Sequence, residues 1–293
     1  MKLEPLSALF ALARKAKHRV SYSPWLLRIR TSSRFSRAPD ALWGTWRHLG
    51  FGQRDVDGLA RLVLGRPPRV TASYLPVPRR LFVFWTGTNP LTPNRLAGLQ
   101  ALKSSMPTIE VVMIDRSNLG DWLVEPLHPA YECLSAVHKS DYLRCYFMHH
   151  HGGAYSDIKP PTSDWAAVFD ELEADEHSFA AGYPLESSLE VAAPLGKSGD
   201  VVRREFRRLV GVNAYIFRPH SDFSQEWLRR VNLLLDDRLS QLQAAPGNIW
   251  GDNEGYPIEW NEVLGQIFHP LNFAFSRGFR QDSRLRTLNQ NYR

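Results

Sequence analysis

Cysteine is scarce in this chain: Cys133 and Cys145 are the whole complement of 293 residues. Two thiols cannot form a disulfide framework, and the count suits a reducing interior better than secretion. Long apolar runs are missing too. The strongest, LFVFW at 81–85, is strand-sized and falls well short of the roughly 18 residues that would span a bilayer. The N-terminal MKLEPLSALFALARKAK interrupts its apolar start with Glu4 and Pro5 and carries its basic cluster after the apolar stretch, so a signal peptide is not expected. Internal repeats and low-complexity tracts are absent. Neither a nucleophile elbow nor a second metal-binding cluster is present to support a hydrolase or phosphatase, and no nucleic-acid-binding pattern accompanies the basic charge.

What remains is ample material for a core, with 43% apolar and 12% aromatic residues. Charge is split along the chain. Residues 1–80 hold 16 Lys and Arg against 4 Asp and Glu, while the other 213 hold 20 against 26, so the net charge of +6 belongs to the N-terminal part. That segment, with Trp25, Trp43 and Trp46 among its bases, is either a solvated helical extension packing its aromatics on the main domain or a surface for an anionic partner. Helix-like stretches run through residues 5–66, with Asp40 and Asp55 as candidate caps. Pro67, Pro68, Pro76 and Pro78 then frame a connector. The expected organisation is a basic helical extension over 1–70 and one larger domain over 71–293.

From residue 81 the types alternate. LFVFW reads as a buried strand, LTPNRLAGLQALKSSMP as a helix begun near Thr92 and Pro93, and IEVVMID as a second strand, which together make a parallel strand-helix-strand unit. PAYECLSAVHKSDYLRCYFMHHHGG reads as a helix stopped at Gly152. AYSDI and GVNAYIF are further strands, SDFSQEWLRRVNLLLDDRLSQLQ is a long amphipathic helix capped by Ser221 or Asp222, and FDELEADEH reads as an exposed helix. This alternation predicts an α/β fold whose ligands sit beyond the carboxyl ends of its strands.

Three polar or aromatic residues fall at such ends: Trp85, Asp115 and Asp157. Each has an ordinary reading, respectively capping a core, capping a turn or bracing a loop, but three at one rim point to a site. Asp141 and Arg144 share a helical face close by. As a bare helix pair they would form a weak surface salt bridge; their nearness to Gly152, Gly153 and Asp157 favours a functional role. The three histidines at 149–151 cannot converge on one ion, because successive helical residues point about 100° apart, and they are expected to cover the helix C-terminus.

The series LFVFWTG, HKSDYLRCYFMHHHGGAYSDIK and GVNAYIF resembles glycosyltransferase family 32 and the related capsular polysaccharide synthesis proteins, whose sugar-binding region carries a DxD motif. The likeness covers residues 78–165, with a weaker echo from 211 to 270. It implies a GT-A-like, Rossmann-type nucleotide-sugar-binding fold and an enzyme that moves a sugar from a nucleotide-sugar donor to a glycan or polysaccharide acceptor, generally with retention. By position, Trp85 would lie beside the donor nucleotide, Asp141 and Arg144 would approach ribose or sugar hydroxyls, and Asp157 would be the first acid of the DxD. Gly152, Gly153, Tyr155 and Asn213 would complete the donor side, and His269 would reach the diphosphate. Trp250, Glu259 and Trp260 fall in a loop suited to an acceptor, with Glu259 the candidate base beside a stacking Trp; the plain alternative there is a capped helix start with solvated acids. The resemblance further implies a divalent cation, Mn or Mg, and use of a cytoplasmic nucleotide sugar; residues 1–70 lie outside it, and a contact of residues 1–40 with the inner face of a membrane is expected from their basic, Trp-containing composition.

Lys159 departs from the pattern, standing where the second acid would be. A charged lysine cannot ligate a cation. It either substitutes for the ion, or turns to solvent and leaves another acid to complete the metal site, or marks an inactive relative. A non-catalytic carbohydrate- or membrane-binding protein on the same fold is the alternative from another class.

Overall fold

The computed structural model describes residues 75–288. The expected N-terminal extension, with its candidate caps Asp40 and Asp55, lies outside the described residues.

The chain builds β1 (Arg80–Trp85), α1 (Pro93–Ser105), β2 (Glu110–Asp115), α2 (Ala136–His150) and β3 (Gly153–Ser156). It continues with α3 (Ala166–Glu173), β4 (Ala180–Pro184), α4 (Lys197–Arg204), β5 (Val210–Phe217), α5 (Asp222–Ala244), α6 (Gly265–Ala274) and β6 (Phe279–Gln281). The strands form one mixed sheet in the order β2-β1-β3-β5-β4-β6. β1 runs parallel to β2 and β3, β5 runs against both β3 and β4, and β6 is parallel to β4. The α/β class expected from the sequence is therefore the class observed.

Both faces of the sheet are covered, which is why β1 is an unbroken apolar run rather than an alternation. One face carries an aromatic core in which Phe82, Phe84, Phe147, Tyr215, Phe217, Phe223, Trp227 and Phe268 meet. The other packs Leu81, Val83, Leu99, Leu102, Trp165, Phe169, Ala181 and Ile216. Each fully buried large side chain contributes about 1.5–3 kcal/mol relative to exposure.

The helix starts are chemically marked. Thr92 caps α1 by accepting from Arg95 N, Ser135 caps α2 by accepting from His138 N, and Ser221 caps α5 by accepting from Ser224 N. Gly152 (φ 64°) ends α2 in the left-handed region. Gly153 (φ 79°) follows in the same region, where a Cβ would stand 2.7 Å from the Arg80 carbonyl oxygen.

Four expectations are corrected. PAYEC is not the first turn of α2 but a separate 3₁₀ turn (Pro129–Cys133), after which extended Leu134 leads into the Ser135 cap. The acidic helix near 169 is half-buried, with Val168, Phe169 and Leu172 inside. The three histidines pack against neighbouring elements rather than over the helix carbonyls: His149 Nδ1 meets Ser224 Oγ at 3.1 Å and His151 Nε2 donates to the Trp122 carbonyl at 2.8 Å. Finally, β4 and β6 form from sequence that gave no strand signal.

Candidate functional site

Because β1, β2 and β3 are parallel, their carboxyl ends share one rim. Trp85 and Asp115 are register partners there. The antiparallel β5 enters the sheet at the same rim, and the Asp157 amide donates to the Asn213 carbonyl at 2.8 Å. One strand order thus gathers residues from four separate segments.

α2 lies against this rim and offers a face of period three: Ser135, His138, Asp141 and Arg144. All four are buried. Arg144 is the hub of an ionic cluster. Its Nη2 lies 3.2 Å from Asp141 Oδ1 and 3.2 Å from Asp157 Oδ1, and its Nη1 donates to the Val212 carbonyl at 3.0 Å. The guanidinium sits 4.5 Å over the Tyr155 ring, a cation–π contact, while the Tyr155 hydroxyl donates to Asp157 Oδ1 at 2.8 Å. Tyr155 and Asp157 are two residues apart and share a strand face.

Lys159 faces inward. Its ammonium is 2.8 Å from Asp157 Oδ2 and its side chain is only 3% exposed, so the alternative in which it turns to solvent is excluded. The ammonium and the Arg144 guanidinium hold Asp157 well below the usual carboxylate range, although burial, the largest single influence, pushes it upward. Asp141 goes the other way. Burial raises it to about 6 against the pull of Arg144, with Asp157 adding to the rise.

Beside the cluster, a cleft of about 180 Å³ opens between the ends of β1 and β2 and the first turns of α2, lined by Thr86, Ile114, Asp115, Arg116, Tyr131 and Lys139 among others. Asp115 also caps the following turn, accepting from Ser117 N and Oγ. Trp85 is half-buried and spends its indole N–H on the Asn89 carbonyl at 2.7 Å.

Sequence reasoning passed over His138. It is buried and held neutral, its pKa lowered to about 4 by desolvation. Its Nδ1 lies 2.8 Å from the Tyr256 hydroxyl and its Nε2 lies 3.4 Å from the Trp260 carbonyl. The start of the 251–270 segment, read as an acceptor loop leading into a helix, is thereby fastened to the start of α2, and just before it Gly247 N adds a bond to the Cys133 carbonyl. The only sequence signal was the three-residue spacing of His138 from Asp141. Beside the fastened segment Trp250 is 41% exposed. Glu259 is exposed; its carboxylate accepts from Gln266 Nε2 at 3.1 Å and its amide donates to Glu262 Oε2. Among the described residues no hydrogen bond joins it to Asp141, Arg144 or Asp157.

Two groups of expected site residues lie elsewhere. Gly152 and Gly153 are at the opposite end of β3 from Asp157, about 13 Å away at roughly 3.3 Å per residue, packed on Pro219 and the Arg80 carbonyl. They are needed for the turn, not for a ligand. His269 is fully buried in α6, where its Nδ1 accepts from the Ala192 amide at 2.9 Å, and burial lowers it to about 4. It fastens the 190s loop and cannot reach a diphosphate.

The donor set does not suit a divalent cation. Among the described residues no three His, Cys, Asp or Glu side chains gather for one, and both Asp157 oxygens already have partners of opposite charge.

No described helix is long and apolar enough to cross a membrane. No protein-family model matches the chain, and no curated protein does. Among solved structures it is similar to one titled PaToxG Glycosyltransferase, with 12% identity over 74% of this chain and 73% of that one and a TM-score of 0.41. So remote a likeness carries no weight in assigning the site, which rests on the residues described above.

Proposed function

We propose that this chain is a glycosyltransferase that moves a sugar from a nucleotide-sugar donor to a hydroxyl of a glycan or polysaccharide acceptor. The observation that carries this reading is the meeting of Asp141, Arg144 and Asp157 in one ionic cluster at the carboxyl rim of the sheet, with a cleft of about 180 Å³ at the neighbouring ends of β1 and β2. In this reading the cleft takes the nucleoside, with Trp85 and Asp115 at its strand ends. Asp141, kept partly ionised near neutral pH, accepts from a sugar hydroxyl, and Arg144 fixes both acids at once. Transfer develops negative charge on the departing diphosphate, so positioned cations at the rim are the main catalytic need. Trp250 and Trp260, fastened beside α2, offer aromatic faces for an acceptor sugar. Retention of configuration and a capsular or other surface glycan as product rest on the sequence resemblance alone, and a cytoplasmic enzyme contacting the inner membrane face through residues 1–40 on the basic composition of that segment.

Donor turnover tests the proposal. Purified protein incubated with a panel of nucleotide sugars should consume one of them by hydrolysis or transfer, and Asp141→Asn and Asp157→Asn should abolish that turnover. Binding of a nucleotide sugar with no consumption of any would favour the non-catalytic carbohydrate binder instead.

A further inference from the structure

The rim cluster balances its own charge. Two carboxylates, Asp141 and Asp157, face two cations, Arg144 and Lys159, through contacts of 2.8–3.2 Å. An acid at position 159 would leave three carboxylates against one guanidinium, a deficit of two charges, which is the charge of one divalent ion. We propose that Lys159 is a built-in counter-charge that excludes a divalent cation from this site, so that the protein handles its phosphate-bearing ligand without one.

The geometry supports this independently of charge counting. Asp157 Oδ1 is taken by the Tyr155 hydroxyl and Arg144, and Oδ2 by Lys159. A Mg²⁺ or Mn²⁺ ion bonds oxygen at about 2.0–2.2 Å, so at Oδ2 it would fall against the ammonium that already occupies that side. Lys159 is enclosed at both ends: its side chain is almost fully buried, and α1 packs on its backbone. A Cβ on Gly98 would lie 3.2 Å from the Ile158 carbonyl oxygen and 3.4 Å from the Lys159 Cα, and Arg95 Nη1 donates to that same carbonyl at 2.9 Å. Lys159 directs its ammonium at Asp157 Oδ2. It is a positioning residue that acts through Asp157, leaving Arg144 and the rim bases to meet phosphate charge.

The phosphate-bearing ligand rests on the transferase reading; the exclusion of metal does not, and it is testable without a donor. Mn²⁺ alone, titrated into the full chain and followed by electron paramagnetic resonance, should show no binding tighter than about 1 mM that Asp157→Asn removes. In Lys159→Asp the same titration should gain a site at least roughly tenfold tighter, accompanied by a rise in melting temperature with added Mn²⁺. Tight Mn²⁺ binding by the wild type that Asp157→Asn abolishes would overturn the proposal. So would a folded Lys159→Asp that gains no site. Should that variant fail to fold, the comparison of wild type with Asp157→Asn still decides. A donor panel without turnover would count against the transferase reading and leave the Mn²⁺ result standing.

Discussion

The two ends of α2 bury polar side chains by opposite means. At the rim end Asp141 and Arg144 go inside as a charged pair, completed by Asp157 and Lys159. At the other end His149, His150 and His151 are half-buried and uncharged near neutral pH: burial lowers the pKa of all three, that of His149 to about 4, with His150 and His220 also disfavouring its charge. The rings pack on one another and on neighbours, His149 against His220 at 5.0 Å and His150 against Tyr146 at 4.4 Å. A histidine can give up its charge near neutral pH at little cost and an arginine cannot, so the far end needs only packing where the rim needs partners. The difference teaches what each kind of burial demands: an ion inside needs partners of opposite charge, which makes the rim cluster a candidate site, whereas neutral rings need only packing.

Removing the rim's hub should have the largest effect. Arg144→Met leaves two buried carboxylates facing each other, and loss of one partner of a buried pair costs about 3–5 kcal/mol. Urea unfolding at pH 7 should show a loss of that size together with loss of donor turnover; a change under about 1 kcal/mol would mean the cluster is a surface feature after all. At the far end the vulnerable element is backbone. Gly153→Ala forces a left-handed conformation and a contact with the Arg80 carbonyl, so it should cost about 2–3 kcal/mol while the surviving folded protein keeps its ligand affinity.

The histidine end should show itself only in acid. A group whose folded pKa is depressed contributes stability that is present above its ordinary value of 6.5 and is lost as pH falls toward about 4. His149 is partly open to solvent, so the expected loss is discounted to about 1 kcal/mol between pH 6.5 and 5. His149→Gln should flatten that slope in a series of urea midpoints; an unchanged slope would place the acid sensitivity elsewhere. The smallest change in stability belongs to Asp141. Its folded pKa is raised to about 6, so ionisation at pH 7 works against folding. Asp141→Asn should therefore leave the midpoint unchanged or raise it by up to about 1 kcal/mol while donor turnover is lost, the pattern of a residue kept for use at some cost to the fold. A clear destabilisation would recast Asp141 as a structural partner of Arg144.

The rim was legible in the sequence because its parts obey local rules. Buried parallel strands are continuous apolar runs, Thr92 and Ser221 are cap residues, Gly152 is a stop, and Asp141 with Arg144 falls on one helical face. β4 was not legible. Ala180, Ala181, Gly182 and Pro184 have low strand propensity, and it is pairing with β5 on one side and β6 on the other that holds them extended. The docking of Tyr256 and Trp260 on His138 was hidden for a related reason, since its bonds join residues far apart in sequence. Lys159 could be identified as a departure from its motif, but which way it pointed depended on Gly98 and Arg95, in a helix more than one element away. His269 looked like a ligand because buried and exposed histidines are spelled the same way.

The placement of β6 has a consequence for how the chain is made. Ala180 in β4 pairs with Phe279, after α4, β5, α5 and α6 have all been read out. During synthesis, then, the rim and both ends of α2 can be in place while β4 still offers an open edge, the kind of surface on which unfinished chains stick to one another. Three later residues, Phe279–Gln281, close it, so a segment made after β5 is the safeguard for strands made before it.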